Sequence, residues 1–256
     1  MEFKKILIVG NQGTFFKDTI SALGKHSEFS INAYDASDLI NNEEILKEFN
    51  GAETMLYISG ETRHLNKMNQ LNIELPSMLL DLCEQHGCNF LYLSSLAVFG
   101  WVVNDICNLN SSRNFICEYG RTKNAFDTIV KSKSCENTIQ VGGVYPASIY
   151  SNNGRSAIDK FERLFNKIPL LKCFKFQGNI SYIERKILIE KLIYKIKHSD
   201  YSDEILSNHK TLSDFSNRRA IPVPKLPQFI FDFSKKLLGA KKALLLKLIF
   251  RGVIYK

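Results

Sequence analysis

The chain has 256 residues, 45% hydrophobic and 23% charged, with a formal net charge of +8. A chain of this length buries about three quarters of its unfolded surface, so it needs no external staple, and no run approaches the roughly 20 apolar residues of a membrane span. The six cysteines, at 83, 88, 107, 117, 135 and 173, form no CxxC pair and read as thiols in a reducing compartment with no metal site.

Lys4 to Val9 is a short, branched apolar run that suits a central parallel strand rather than a signal peptide. A cytoplasmic protein is therefore expected. The run leads into Gly10-Asn11-Gln12-Gly13-Thr14-Phe15-Phe16 and a helical stretch through Leu23. Strand, glycine turn and helix N-terminus together make a phosphate site, because glycines admit close backbone approach and the helix presents unpaired N–H groups. A tight turn with no ligand is the other reading of this loop. A second strand, Ser30 to Tyr34, ends at Asp35, twenty-five residues after Gly10. A carboxylate there accepts from both ribose hydroxyls and repels a 2′-phosphate, which points to NAD over NADP. NADP stays an open alternative, and Asp38 competes with Asp35 for this role.

A third strand, Thr54 to Ile58, ends in Ser59-Gly60, and Arg63 just beyond is a candidate for a substrate phosphate. Leu71, Leu75, Met78, Leu79 and Leu82 are spaced for one buried helix face. Phe90 to Ser95 reads as a buried strand ending in hydroxyls, and Tyr119 follows twenty-four residues after Ser95. Tyr119 and Lys123, four apart, share one helix face. An ammonium close to a phenol favours the phenolate and lowers its pKa. With a serine hydroxyl beside it, such a pair can move a proton while a cofactor moves a hydride. A strand over Thr138 to Val141 then leads to Gly142-Gly143-Val144. Alternating strands and helices predict an α/β fold, a Rossmann-type doubly wound parallel sheet, with its ligand beyond the carboxyl ends of the strands. The expected organisation is a single domain, residues 1–145 mainly dinucleotide-binding core and 146–256 mainly a small substrate lobe and a basic helical tail.

The segments Gly10-x-x-Gly13, Asp35, Asp38-Leu39, Asn72, Ser94-Ser95-Leu96-Ala97-Val98-Phe99-Gly100, Tyr119-x-x-x-Lys123 and Gly143-Val144-Tyr145-Pro146 resemble the extended short-chain dehydrogenase/reductase family, in its nucleotide-sugar epimerase, dehydratase and 4-keto-sugar reductase branch. The resemblance covers roughly residues 3–190. It implies Tyr119 as general acid/base, Lys123 lowering its pKa and holding the nicotinamide ribose, and Ser95 rather than Ser94 orienting the substrate oxygen. Gly10, Gln12, Gly13, Thr14 and Phe15 would hold the pyrophosphate, Asp35 the adenosine ribose, and Asp38 and Leu39 the adenine. Ile58, Ser59 and Gly60 would pass behind the cofactor, with Leu93, Gly142, Gly143 and Val144 completing the nicotinamide end. Arg155 faces the region where a nucleotide diphosphate would sit. The implied substrate is a nucleotide sugar, and family analogy adds surface-polysaccharide synthesis.

The chain departs from that family where Phe16 replaces the third glycine of the loop, where Gln140 and Gly143 stand in place of an arginine and an asparagine, and where Glu184-Arg185-Lys186 replaces a His-Val-Asp-Asp run. Three functions stay open: an epimerase or dehydratase, a 4-keto-sugar reductase, and a non-catalytic dinucleotide sensor or scaffold. From Lys225 onward eight Lys/Arg face one acid, Asp232, so the tail carries +7 of the net charge. A basic, leucine-rich tail can lie on an anionic membrane surface; helices that close the substrate lobe with lysines on the wet face are the preferred reading. No nucleic-acid motif accompanies the basic charge. A homodimer is common in the family but required by none of these residues.

Overall fold

The computed structural model describes residues 3–39, 45–102, 106–133, 138–150, 157–216 and 220–256. Strands and helices alternate from the start: β1 (Lys4–Gly10), α1 (Thr14–Leu23), β2 (Phe29–Asp35), the short helices α2 (Ala36–Leu39) and α3 (Ile45–Glu48), and β3 (Ala52–Tyr57). Then α4 (Leu65–Asn69) and α5 (Leu75–His86) run together through one π turn, Gln70–Glu74, before β4 (Asn89–Leu93). After β5 (Ile106–Cys107) come α6 (Glu118–Lys133), β6 (Val141–Pro146), β7 (Ser148–Tyr150), α7 (Ala157–Lys167), β8 (Phe174–Lys175) and β9 (Asn179–Glu184). The chain closes with α8 (Arg185–Lys197), β10 (Glu204–Leu206), β11 (Asn208–Thr211), β12 (Ile221–Pro222), α9 (Gln228–Leu238), α10 (Ala240–Phe250) and β13 (Ile254–Tyr255).

Six strands form one sheet in the order β10-β6-β4-β3-β1-β2. Neighbours from β6 to β2 pair in parallel. β1 is buried from Ile6 to Gly10 and β3 at Met55, Leu56 and Tyr57, as strands covered on both faces must be. The chain goes from β1 to β2 on one side and then returns to β3 on the other. The order reverses between β1 and β3, and a crevice opens there at the carboxyl ends. This is the Rossmann-type fold expected from the sequence.

Two expectations are corrected. The strand placed at Thr138 to Val141 begins at Val141 and runs through both glycines to Pro146. Glycine is depleted in strands, but here it serves close packing. A Cβ on Gly142 would stand 2.4 Å from the backbone oxygen of Tyr201, and one on Gly143 would stand 2.8 Å from the Tyr92 hydroxyl. In α5, Leu75, Leu79, Leu80, Leu82 and Cys83 are buried while Met78 is 41% exposed. The buried arc centres on Leu79 and Cys83, which leaves Met78 on its flank.

The chain forms two compact units. One comprises residues 1–98, 117–145 and 186–204, and the other 99–116, 146–185 and 205–256. Helix α8 belongs with the first unit because Leu188, Ile189, Leu192, Ile193 and Ile196 are all buried. The second unit has its own core, built on Ile158, Phe165, Phe176, Ile180 and Leu212. Among the described residues no helix is long and apolar enough to cross a membrane.

Candidate active site

The loop between β1 and α1 is held by Asn11. Its Nδ2 donates to the Gly60 carbonyl at 3.1 Å, and its Oδ1 accepts from the Ser59 hydroxyl at 2.6 Å. The ends of β1 and β3 are thereby tied across the switch point. Gln12, Gly13 and Thr14 are exposed, no side chain caps α1, and no acid stands in its first turn. The positive end of that helix is left for an anion. Phe16 resolves the missing third glycine. Its ring packs where a Cβ on Gly10 would intrude, 2.4 Å from Phe16 Cδ2. An aromatic ring thus supplies the close helix–strand packing that the glycine gives elsewhere.

Asp35 ends β2 with both carboxylate oxygens engaged. Oδ2 accepts from the Gln12 N–H at 3.0 Å and Oδ1 from the Ser37 N–H at 2.8 Å. Asp38 is exposed one turn on, whereas Leu39 is buried among Ala36 and Phe49 in the core. Only the backbone of Leu39 is left to border a ligand. Asn11, Gln12, Asp35, Ser37, Glu61, Lys67, Gln70 and Leu71 line a cavity of about 430 Å³.

Helix α6 carries Tyr119 and Lys123 to the neighbouring strand ends. Ser95 lies past the end of β4, partly exposed, where its side chain acts on the Tyr119 phenol and its hydroxyl accepts from the Ala97 N–H at 3.1 Å. Burial pushes that phenol up to about 12, against the lowering effect of the Ser95 side chain. Lys123 is 4% exposed, and its Nζ donates to the Leu93 carbonyl at 2.8 Å and the Ser59 carbonyl at 3.1 Å. Burial lowers its pKa to about 8, opposed by the charge of Asp127. The sequence reading had Lys123 lowering the tyrosine. In this structure the lysine is anchored on two backbone carbonyls, and burial leaves the net shift of the tyrosine upward.

The two serines of the strand end diverge. Ser94 is buried and its hydroxyl donates to Asp127 Oδ2 at 3.2 Å, while the Tyr92 hydroxyl donates to Asp127 Oδ1 at 3.1 Å. Ser95 is the one left facing Tyr119. Asn72, on the π turn, joins the loop after β3 to the start of α6. It accepts from the Glu61 N–H and donates to the Glu61 carbonyl and the Thr122 hydroxyl, each at 2.9 Å, and that hydroxyl donates to the Tyr119 carbonyl at 3.0 Å. π turns are frequent at functional sites because the extra residue re-aims a side chain.

The structure therefore brings Lys123 against Leu93, Ser59 and Gly60, and joins Ser59 and Gly60 through Asn11 to the β1–α1 loop, where Gln12 meets Asp35. Gly142, Gly143 and Val144 lie buried on β6, adjacent to β4. Arg63 is exposed beyond β3, its backbone N–H held by Glu61 Oε1 at 2.6 Å. Arg155 lies outside the described residues. Asn11, Glu61 and Asp127 were missed. Burial works to raise the Glu61 carboxyl, but hydrogen bonds from Arg63, His64 and Thr62 hold it at about 2. The signal for Asp127 was its place four residues after Lys123; Asn11 and Glu61 had no signal beyond adjacency to the loop and to Gly60. Among the described residues no cluster of His, Cys, Asp or Glu is arranged to hold a metal.

A sequence profile of the NAD dependent epimerase/dehydratase family matches residues 19–178, over half of the chain. The chain belongs to this family. No curated protein matches it in sequence. Among solved structures, a short-chain dehydrogenase/reductase superfamily protein from Agrobacterium tumefaciens with bound NAD is similar at 12% identity and a TM-score of 0.66, over 98% of this chain and 85% of that one. The UDP-N-acetylglucosamine 4-epimerase of Bacillus cereus is 14% identical with a TM-score of 0.65, over 84% and 79% of the two chains. A dTDP-4-dehydrorhamnose reductase from Clostridium acetobutylicum is 17% identical with a TM-score of 0.64, over 94% and 99%. At these identities the likeness establishes the shared fold.

Proposed function

We propose that this family member is an NAD(P)-dependent epimerase/dehydratase-type oxidoreductase acting on a nucleotide sugar through Ser95, Tyr119 and Lys123. The observation that carries this reading is the placing of Lys123 on the Ser59 and Leu93 carbonyls at the carboxyl ends of β3 and β4, with Tyr119 one helical turn before it and Ser95 two residues beyond Leu93. The crevice fits a dinucleotide. The uncapped α1, the exposed loop from Gln12 to Thr14 and the oriented Asp35 carboxylate suit a pyrophosphate and a ribose diol. Gly10 to Phe15 would hold the pyrophosphate, Asp35 and Asp38 the adenosine end, and Lys123 with Ile58 to Gly60, Leu93 and Gly142 to Val144 the nicotinamide end. NAD bound there supplies the hydride acceptor or donor. NAD is favoured by Asp35 and by the NAD named in solved structures of the same fold.

The chain's own residues handle the proton. Ser95 orients the sugar oxygen, and Tyr119 gives that oxygen a proton or takes one. Lys123 places a positive charge one turn away that favours the phenolate when the reaction needs a base. A 4-keto-sugar reductase is the second reading, and two observations favour it. A phenol pushed up to about 12 is a proton donor at neutral pH, and the compact reductase fold is matched over 99% of its length.

The pH dependence follows from Lys123. With its ammonium titrating at about 8, kcat/KM should fall on the alkaline side as that charge is lost. Asp127 raises the lysine pKa, so Asp127→Asn should move the alkaline limb to lower pH. A limb that stays in place in Asp127→Asn assigns it to another group.

The cofactor decides between the readings. The purified protein is denatured, and the released small molecules are read by absorbance and mass spectrometry. Retained NAD supports an epimerase or dehydratase, in which the hydride is returned and need never leave. An empty site that binds NADH or NADPH reversibly supports the reductase. Binding of neither overturns the catalytic reading.

A further inference from the structure

Helices α9 and α10 form a hairpin about Gly239, which has a φ of +83°. One face of α9 packs inward: Phe231 is 1% exposed and clusters with Trp101 and Ala243. The opposite face should be polar. Instead Phe229, Phe233 and Leu237, spaced i, i+4 and i+8, are 69%, 65% and 71% exposed. Three large apolar side chains at this spacing form one stripe on a helix of 11 residues, about 16 Å long. Lys236 lies beside that stripe. On α10, Lys241, Lys242 and Leu245 occupy the exposed arc, with Leu245 48% exposed. Contiguous exposed apolar surface of this kind marks an interaction site.

We propose that the outward face of the α9–α10 hairpin docks the protein on an anionic lipid surface, with Phe229, Phe233 and Leu237 entering the headgroup boundary and Lys236, Lys241 and Lys242 meeting lipid phosphates. Charge complementarity selects this occupant. The segment from Lys225 carries +7 against +1 for the rest of the chain, and lysines beside exposed aromatic and leucine side chains are the composition of an interfacial helix. A second copy fits poorly. A two-fold interface sets the patch against itself and would bring Lys236, Lys241 and Lys242 towards the same lysines. The inference stands apart from the catalytic reading, since none of these residues belongs to the crevice.

The test is flotation of the full chain with vesicles of phosphatidylglycerol and phosphatidylcholine, and with phosphatidylcholine alone. Two variants accompany it: Phe229→Ser/Phe233→Ser/Leu237→Ser and Lys236→Gln/Lys241→Gln/Lys242→Gln. Far-UV circular dichroism confirms that each is folded. The wild type should float with the anionic vesicles and not with the neutral ones. Raising salt from 0.1 to 1 M, where screening shortens from about 10 to 3 Å, should weaken binding, and each variant should bind at least about tenfold more weakly, the effect expected when either the apolar or the electrostatic contribution is removed. No flotation at low salt overturns the proposal, as does flotation that the apolar variant leaves unchanged. If the wild type instead sediments as a dimer that the apolar variant converts to a monomer without any lipid binding, a second copy covers the stripe and the lipid proposal is wrong.

Discussion

Tyr119→Phe should lower kcat/KM by roughly 10²- to 10⁴-fold, the usual contribution of a positioned acid or base, while leaving dinucleotide binding within about tenfold, because only one neutral hydrogen bond is removed. The ring stays, so its packing at the start of α6 is kept. On the proposed reading the phenol is the one group of the triad that would meet a substrate oxygen with a transferable proton at neutral pH, its pKa being pushed up to about 12. Ser95 orients and Lys123 is committed to two carbonyls, so neither replaces the lost proton. Steady-state kinetics on a keto or hydroxy nucleotide sugar, paired with fluorescence titration of NADH, separates the two quantities. Full activity in the variant sinks the mechanism. Loss of dinucleotide binding in parallel would mean that the hydroxyl holds the cofactor and is not confined to the chemistry.

Much of this geometry was legible in the residues. The branched apolar runs at Ile6 to Val9 and Met55 to Tyr57 fix which strands are covered on both faces, and hence the parallel sheet and its switch point. Tyr119 and Lys123 at helical spacing, and a strand ending in hydroxyls before them, pointed to the strand ends, where Lys123 meets the Leu93 and Ser59 carbonyls. What escaped depended on distant parts of the chain. Gly142 and Gly143 read as the end of a strand because glycine is disfavoured inside one. Only the approach of Tyr201 and Asp203 from some sixty residues away, with the Gly143 N–H donating to Asp203 at 2.7 Å, makes them its middle. Phe16 read as a defect in the loop because the room left by Gly10 is a property of two positions at once. The direction of the tyrosine shift was missed for the same reason. Spacing shows that Lys123 is near Tyr119, but not that the Leu93 and Ser59 carbonyls take its donors. The tail was half legible. Its charge is plain in the sequence, but which face of α9 turns outward is decided by Trp101 and Ala243 packing on Phe231.

Removing Lys123 should abolish activity, and two substitutions separate that loss from the effect on the fold. Lys123→Ala leaves a cavity and strips the donor from the Leu93 and Ser59 carbonyls, which costs about 1–3 kcal/mol for each polar group left unsatisfied, in addition to the lost packing of the lysine stem. Lys123→Met keeps most of the volume and removes the charge. Both should lose activity and nicotinamide-end affinity, since neither retains an ammonium. Their stabilities should differ from each other and from the wild type in a pH-dependent way. The folded lysine titrates at about 8 against an ordinary 10.5, so between those values the unfolded chain binds more protons than the native one. Stability carried by this residue therefore rises with pH across that window. Below about 8 the wild type bears the full burden of a buried ammonium, and replacing such an ion by an apolar side chain is often neutral or stabilising. Urea midpoints should then show the wild type gaining on Lys123→Met as the pH rises from 8 to 10.5. Lys123→Ala should stay the least stable of the three throughout. A wild type that loses ground to Lys123→Met over that window would mean that the ammonium is stabilised by its carbonyl partners and by Asp127 more than burial opposes it. In that case the alkaline limb of activity would belong above pH 10 rather than near 8.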